Sequence, residues 1–188
     1  MGFTIIIDGP NFINDLHRHK KDKNYILNTF SFPIFHTIIQ QKLKDEGLAS
    51  HPFFGTQFIC SNKDQIGAFR EEEKNQLLTK LMREKGVHVK EINLSSKDSQ
   101  EKAVDISVFA KMLEVGDGEH WKHVVLIASD KDYVPAIEAL TNKGIHVVLI
   151  GFDDGDFPIE LINQCFLFID LGWIITEMEA QLLPANID

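Results

Sequence analysis

Two kinds of hydrophobic pattern alternate along the chain. Short runs rich in Ile, Val, Leu and Phe recur near 3–7, 55–60, 87–92, 123–128, 145–150 and 166–170. Between them lie longer stretches in which apolar residues return every three or four positions. The short runs predict strands and the long stretches predict helices, and their alternation predicts βαβ units around a mostly parallel sheet, an α/β fold.

The clearest helix is predicted over 64–85. Ile66, Phe69, Leu77, Leu78, Leu81 and Met82 form its apolar stripe, while Arg70, Glu71, Glu72, Glu73 and Lys74 face water. Lys85 and Gly86 supply its stop. A second helix over 101–114 carries Val104, Val108 and Met112 on one stripe and Ile106, Phe109 and Leu113 on the next, which predicts nearly complete burial. Asp105 then falls in its first turns. A third, over 133–143, has Pro135 in its first turn, where a missing N–H is tolerated, and ends at Gly144. The segments 94–100, 116–119 and 153–156 read as loops or turns, and no repeat or linker interrupts the chain.

At 188 residues the chain fits a single domain, 1–188, with a substantial core. No apolar run approaches the roughly 18 to 20 residues that span a bilayer, so no membrane partner is expected. The amino terminus lacks a basic region followed by an apolar one, and Ile6 stands where a myristoylation signal needs Ser or Thr. A cytoplasmic location is the expectation. Cys60 and Cys165 lie in apolar sequence that reads as buried strand and are expected as reduced core thiols. A net charge of -9 argues against broad adhesion to nucleic acid, which depends on neutralising phosphates. It leaves room for a metal-bridged nucleic-acid substrate, because a bound cation would cancel part of the acidic field.

The chemistry gathers at acidic positions. Asp8 ends the run Ile5-Ile6-Ile7 and precedes Gly9, Pro10 and Asn11; Asp130 and Asp132 follow the run 124–128; Asp105 begins a helix. Any one of these could be a turn residue or an N-cap, and Asn11 could cap the helix or contact a metal-bound water or phosphate. Several carboxylates in one cleft raise one another's pKa unless a cation joins them, and hard oxygen ligands suit Mg²⁺ or Mn²⁺. The basic segment 17–24 should flank this site, and Arg18, Lys20, Lys21 and Lys23 are candidates for contacting a nucleic-acid backbone unless the segment is a solvated loop. His17 and His19 have no Cys or further His at a spacing that would hold zinc.

The chain resembles the NYN domains, a branch of the PIN-like ribonuclease superfamily that includes the LabA-like proteins. The resemblance spans nearly the whole chain. It rests on Ile5-Ile6-Ile7-Asp8-Gly9-Pro10-Asn11, on Lys102-Ala103-Val104-Asp105, on Ser129-Asp130-Lys131-Asp132-Tyr133-Val134-Pro135, on Gly144-Ile145-His146-Val147, and on Leu161 to Cys165 leading into Phe168-Ile169-Asp170-Leu171. It implies a three-layer α/β/α, Rossmann-like domain in which Asp8, Asp105 and Asp130 hold Mg²⁺ or Mn²⁺. Asp132 would be a further ligand or a water-orienting base, and Asn11 would assist. The implied activity is metal-dependent hydrolysis of RNA, with Lys102, Ser129 and Lys131 joining Arg18, Lys20 and Lys21 as substrate-contact candidates. The family commonly has a small residue at the Lys131 position and often an acidic one at the Phe166 position, which bears on substrate preference.

Two other classes compete. A catalytically weak RNA- or protein-binding module would fit the acidic charge, and a homo-oligomer or a partner protein could present its substrate. A phosphotransfer domain with an aspartyl nucleophile ranks third, because such a site usually has a second carboxylate two residues after the strand-end Asp, and Pro10 stands there.

Overall fold

The computed structural model describes residues 2–22, 24–48, 52–61, 69–92, 100–118 and 121–183. Among these residues six strands form one sheet: β1 (Gly2–Asp8), β2 (Phe53–Ser61), β3 (Val87–Ile92), β4 (Trp121–Ile127), β5 (His146–Gly151) and β6 (Leu167–Asp170). Every pairing is parallel and the order is β3-β2-β1-β4-β5-β6. The expected α/β/α architecture is therefore present, with a sheet that is parallel throughout.

Alternation along the strands explains why both faces are covered. Ile5 and Ile7 of β1, Val125 and Ile127 of β4, and Val148 and Ile150 of β5 enter one core. Ile6, Val124, Leu126, Val147 and Leu149 enter the other. With both faces apolar, neither can be left to water, and helices must close each. The first face is covered by α1 (Gly9–Lys20), α2 (Tyr25–Asn28), α3 (Phe32–Asp45), α4 (Glu71–Arg83) and α8 (Leu171–Leu182). Phe30 is its centre, with ring centroids 5.0 to 5.5 Å from Phe32, Phe35 and Phe12. The second face takes α5 (Gln100–Asp117), α6 (Val134–Asn142) and α7 (Ile159–Gln164).

Several helix expectations need correction. Phe69 and Arg70 are not helical, and α4 begins at Glu71, where Glu73 folds back to accept the Arg70 N–H at 2.8 Å. Residues 64–68, with Ile66, lie outside the described residues. Lys74, expected in water, is buried and donates from Nζ to the Ser61 carbonyl at 2.7 Å. It lies one turn before Leu77 and Leu78, so helical geometry carries it onto the apolar stripe. Met82 is 60% exposed, because a single residue step beyond Leu81 rotates it off that stripe.

Among the described side chains of α5 only Val104, Val108, Met112 and Val115 are fully buried, and Ile106 is 67% exposed, so this helix is one-sided. It also continues through the segment read as a turn from Gly116, to Asp117. A Cβ at Gly116 would stand 2.3 Å from Leu140 Cδ2, so glycine here permits the close approach of α5 to α6. Gln100 likewise belongs to α5, while 94–99 and Glu119 lie outside the described residues. Cys60 is buried in β2, whereas Cys165 is half-buried at the end of α7 rather than in a strand; neither is in a disulfide. No helix among the described residues is long and apolar enough to cross a membrane.

The topology fixes where a site can form. Connections leave β1 toward β2 on one side and β4 toward β5 on the other, so the strand order reverses between β1 and β4. The helices and loops that follow these two strands diverge and leave a crevice at their carboxyl ends.

Candidate functional site

Asp8 is the last residue of β1 and the N-cap of α1. Its Oδ1 accepts the Asn11 N–H at 3.2 Å, and its Oδ2 accepts Asn11 Nδ2 at 2.7 Å and the Tyr133 hydroxyl at 2.7 Å. A Cβ on the following residue, Gly9, would meet Phe58 Cε1 at 2.6 Å and the Ile59 carbonyl at 2.7 Å, so only glycine lets the chain turn this tightly over β2. Asp8 is 1% exposed. Burial pushes its carboxyl above the ordinary carboxylate range; hydrogen bonds from Tyr133 and Asn11 pull it back, and the Asp130 charge adds to the rise.

Asp130 follows β4 across the crevice and caps a 3-10 turn, Lys131–Tyr133, with its Oδ1 accepting the Asp132 N–H at 2.9 Å. The turn exposes Lys131 and Asp132 and directs Tyr133 inward to 1% exposure. Asp105 arrives from α5, half-buried, with Oδ1 3.3 Å from the Tyr133 hydroxyl. One phenol thus stands between two carboxylates. It has a single proton to donate, and the shorter contact assigns that proton to Asp8. Burial, and then the charges of Asp8 and Asp105, push the Tyr133 pKa far upward, so it remains a neutral donor.

All four sequence-predicted carboxylates, Asp8, Asp105, Asp130 and Asp132, line one cleft of about 350 Å³ together with Asn11, Asn14 and Lys102. Among the described residues no three His, Cys, Asp or Glu side chains stand close enough to enclose an ion. The donor set nonetheless suits Mg²⁺ or Mn²⁺. These cations prefer oxygen, and Mg²⁺ retains several waters and needs only one or two direct carboxylates, so a closed cage is not required.

The remaining substrate-contact candidates fall into two groups. Lys102 lines the cleft, and Lys131 stands just outside it, beside Asp132. The Ser129 hydroxyl is hydrogen-bonded to Asp15, another carboxyl raised by burial. Residues 17–21 of the basic segment form the last turn of α1 and its cap rather than a loop: Arg18 lies ten residues from Asp8, about 15 Å along the helix. Arg18 pairs with Asp15 at 3.3 Å and Asp154 at 3.1 Å, and Lys20 pairs with Glu179 at 2.6 Å. Lys21 is exposed in the left-handed region at φ 53°, and Lys23 lies outside the described residues.

Sequence reasoning missed Tyr133 and Asn14. The signal for Tyr133 was weak, since a Tyr beginning a helix reads as core and its partner Asp8 is 125 positions away.

The sequence matches the family model of the NYN domain over residues 5–172, a span containing every carboxylate of the cleft. In three dimensions it is similar to the crystal structure of a protein of unknown function from Vibrio parahaemolyticus, with a TM-score of 0.63 and 13% identity over 90% of this chain and 92% of that one. No curated protein matches it in sequence.

Proposed function

This chain belongs to the NYN domain family, a nuclease-type, RNA-related group of PIN-like domains, and we propose that it hydrolyses RNA phosphodiester bonds with Mg²⁺ or Mn²⁺ held in the acidic cleft. The observation that carries this reading is the convergence of Asp8, Asp105, Asp130 and Asp132 on one cleft at the reversal point of the sheet. Four like charges from three separate elements are costly as scaffold alone.

Asp8, Asp105 and Asp130 would hold the cation, directly or through water, with Asp132 as a further ligand or as the group that orients the attacking water. A divalent cation bound there supplies activation of that water, a template for the scissile phosphate and relief of charge on the leaving oxygen. The chain's own residues do the positioning. Asn11 and Tyr133 fix both oxygens of Asp8, and the bond from the Asp132 N–H fixes Asp130. Asp132, exposed at the rim, can pass a proton to solvent. Lys102 lines the cleft and Lys131 adjoins it beside Asp132, so both would contact flanking phosphates. Because Arg18 and Lys20 are engaged in ion pairs, a second copy or a partner protein would help present RNA to a chain of net charge -9.

The test is cleavage of single-stranded and structured RNA with Mn²⁺ by the natural protein and by Asp8→Asn. Loss of cleavage in the variant supports the reading. Equal cleavage by both would sink it, and RNA bound but uncut by either would identify a binding module.

A further inference from the structure

On the far side of Asp132 a second, more open cavity of about 550 Å³ is lined by Lys131, Asp132, Val134, Pro135 and Glu160. We propose that this groove is the subsite for one nucleotide of single-stranded RNA adjoining the scissile phosphate, its base lying on Val134 and Pro135 and its phosphate on Lys131. The proposal rests on the ribonuclease reading above.

Continuity is the first argument. Successive residues of the 3-10 turn divide the surface: Asp130 lines the cleft, Lys131 lines the groove, and Asp132 lines both. A chain leaving the cleft over Asp132 therefore enters the groove directly. Both volumes fall within the roughly 300 to 1,000 Å³ usual for ligand pockets.

Charge is the second. A phosphodiester is repelled by four carboxylates wherever no cation intervenes, and Lys131 is the cation immediately beyond them. It is exposed and has no ion pair among the described residues. The start of α6 offers an anion little else, since the Val134 N–H is spent on the Lys131 carbonyl and Pro135 has no N–H. The lysine side chain must supply the contact.

Surface chemistry is the third. Val134 is half-buried, Pro135 is exposed, and Ile159, which opens α7 beside Glu160, is 59% exposed. Since α6 packs on α7, the starts of the two helices border the groove with apolar surface that suits the face of a base. Glu160 is a carboxylate on that wall, able to accept from the exocyclic amino group of adenine or cytosine and to repel a phosphate placed there. This polarity gives the strand one direction through the groove. Bases paired in a duplex could not lie flat on the wall, so the occupant is single-stranded.

The experiment uses Asp8→Asn protein to prevent cutting and measures binding of a fluorescein-labelled single-stranded RNA by anisotropy across a salt series with Mg²⁺. Adding Lys131→Glu should weaken binding by about tenfold and lower the salt slope by about 0.7, the loss of one phosphate contact. Adding Pro135→Asp, an exposed first-turn position where an acid favours the helix, should weaken binding by a similar factor with an unchanged melting temperature. Unchanged Kd and salt slope in both variants would overturn the subsite even if the natural protein cuts RNA. Weakening in both, with no cleavage by the natural protein, would instead remove the nuclease reading and leave the groove as an RNA contact. The same titration with a labelled duplex RNA is the control, and weakening only toward the duplex would also overturn the proposal.

Discussion

Thr4 and Asp8 stand four residues apart on β1, both buried, in surroundings that differ in kind. At the Thr4 end the polar groups are neutral and paired one to one. Thr4 Oγ1 donates to the Gly55 carbonyl at 2.8 Å, and on the neighbouring strand Thr56 Oγ1 bonds His36 Nε2 at 2.8 Å. Burial lowers the His36 pKa to about 4, so the ring stays neutral at physiological pH. At the Asp8 end a carboxyl takes three donors and still faces the charge of Asp130. Burial of polar groups alone therefore does not mark a site. Unrelieved like charge, gathered where the sheet leaves a crevice, is what sets the proposed site apart.

Substitution at Asp8 should break the contrast most sharply. Asp8→Asn is expected to lower Mn²⁺-dependent RNA cleavage by more than about a hundredfold, beyond the 10- to 100-fold typical of residues that only support a metal ligand. Its stability effect runs the other way. A carboxyl whose folded pKa is raised contributes stability that is present below its unfolded value of 3.8 and is lost as pH rises through the folded value. Without metal at pH 8, Asp8→Asn should thus melt higher than the natural protein, with the gap closing toward pH 4. Thermal scans in chelator across that range check it, and a lower melting temperature at pH 8 would class Asp8 with Thr4 as scaffold.

Tyr133→Phe comes next. Removing the donor that holds Asp8 Oδ2 should weaken Mn²⁺ binding by about 10- to 100-fold, read by calorimetric titration. A lost hydrogen bond to a charged group also costs about 1.5 to 3 kcal/mol of stability. Unchanged metal affinity would reduce the phenol to a packing element.

The other end of β1 should respond through stability alone. His36→Leu leaves the Thr56 hydroxyl without this partner and should cost about 1 to 3 kcal/mol, with cleavage per folded molecule unchanged. Because the folded pKa of His36 is depressed, its contribution is present above the unfolded value of 6.5 and is lost as pH falls through about 4. Chemical denaturation from pH 7 to 4 should show a steeper loss for the natural protein than for the variant. An equal slope would remove His36 from the acid response.

The smallest effect is expected at Lys20→Glu. With Lys20 already paired to Glu179, RNA affinity should change less than about twofold and stability by less than about 1 kcal/mol. A large drop in affinity, measured by anisotropy, would return the end of α1 to the RNA path.

The strands were legible because a sheet buried on both faces writes itself as dense apolar runs, and each of the six predicted runs overlaps an observed strand, three of them overrunning it by one residue. Asp8, Asp105 and Asp130 were legible as candidates because strand ends and helix starts can be located from local pattern. Lys74 was not, because its charge outweighed its place on the helical stripe, and only the Ser61 carbonyl beneath it explains an ammonium there. The ion pairing of the basic residues of α1 was hidden for a different reason. Apart from Asp15, one turn before Arg18, their partners Asp154 and Glu179 are distant in sequence, so that pairing could not be read from the segment itself.

By itself the sequence determined the α/β alternation, the strand positions and the placing of carboxylates where strands end and a helix begins, since these depend on periods of two and 3.6 residues and on local capping. Tertiary structure alone decided that β1 and β4 lie side by side, that their acidic ends share one cleft with Asp105, that Tyr133 stands between two of the carboxylates, and that a groove continues beyond Asp132. Each depends on contacts between residues far apart in the chain, which periodicity and local capping do not record.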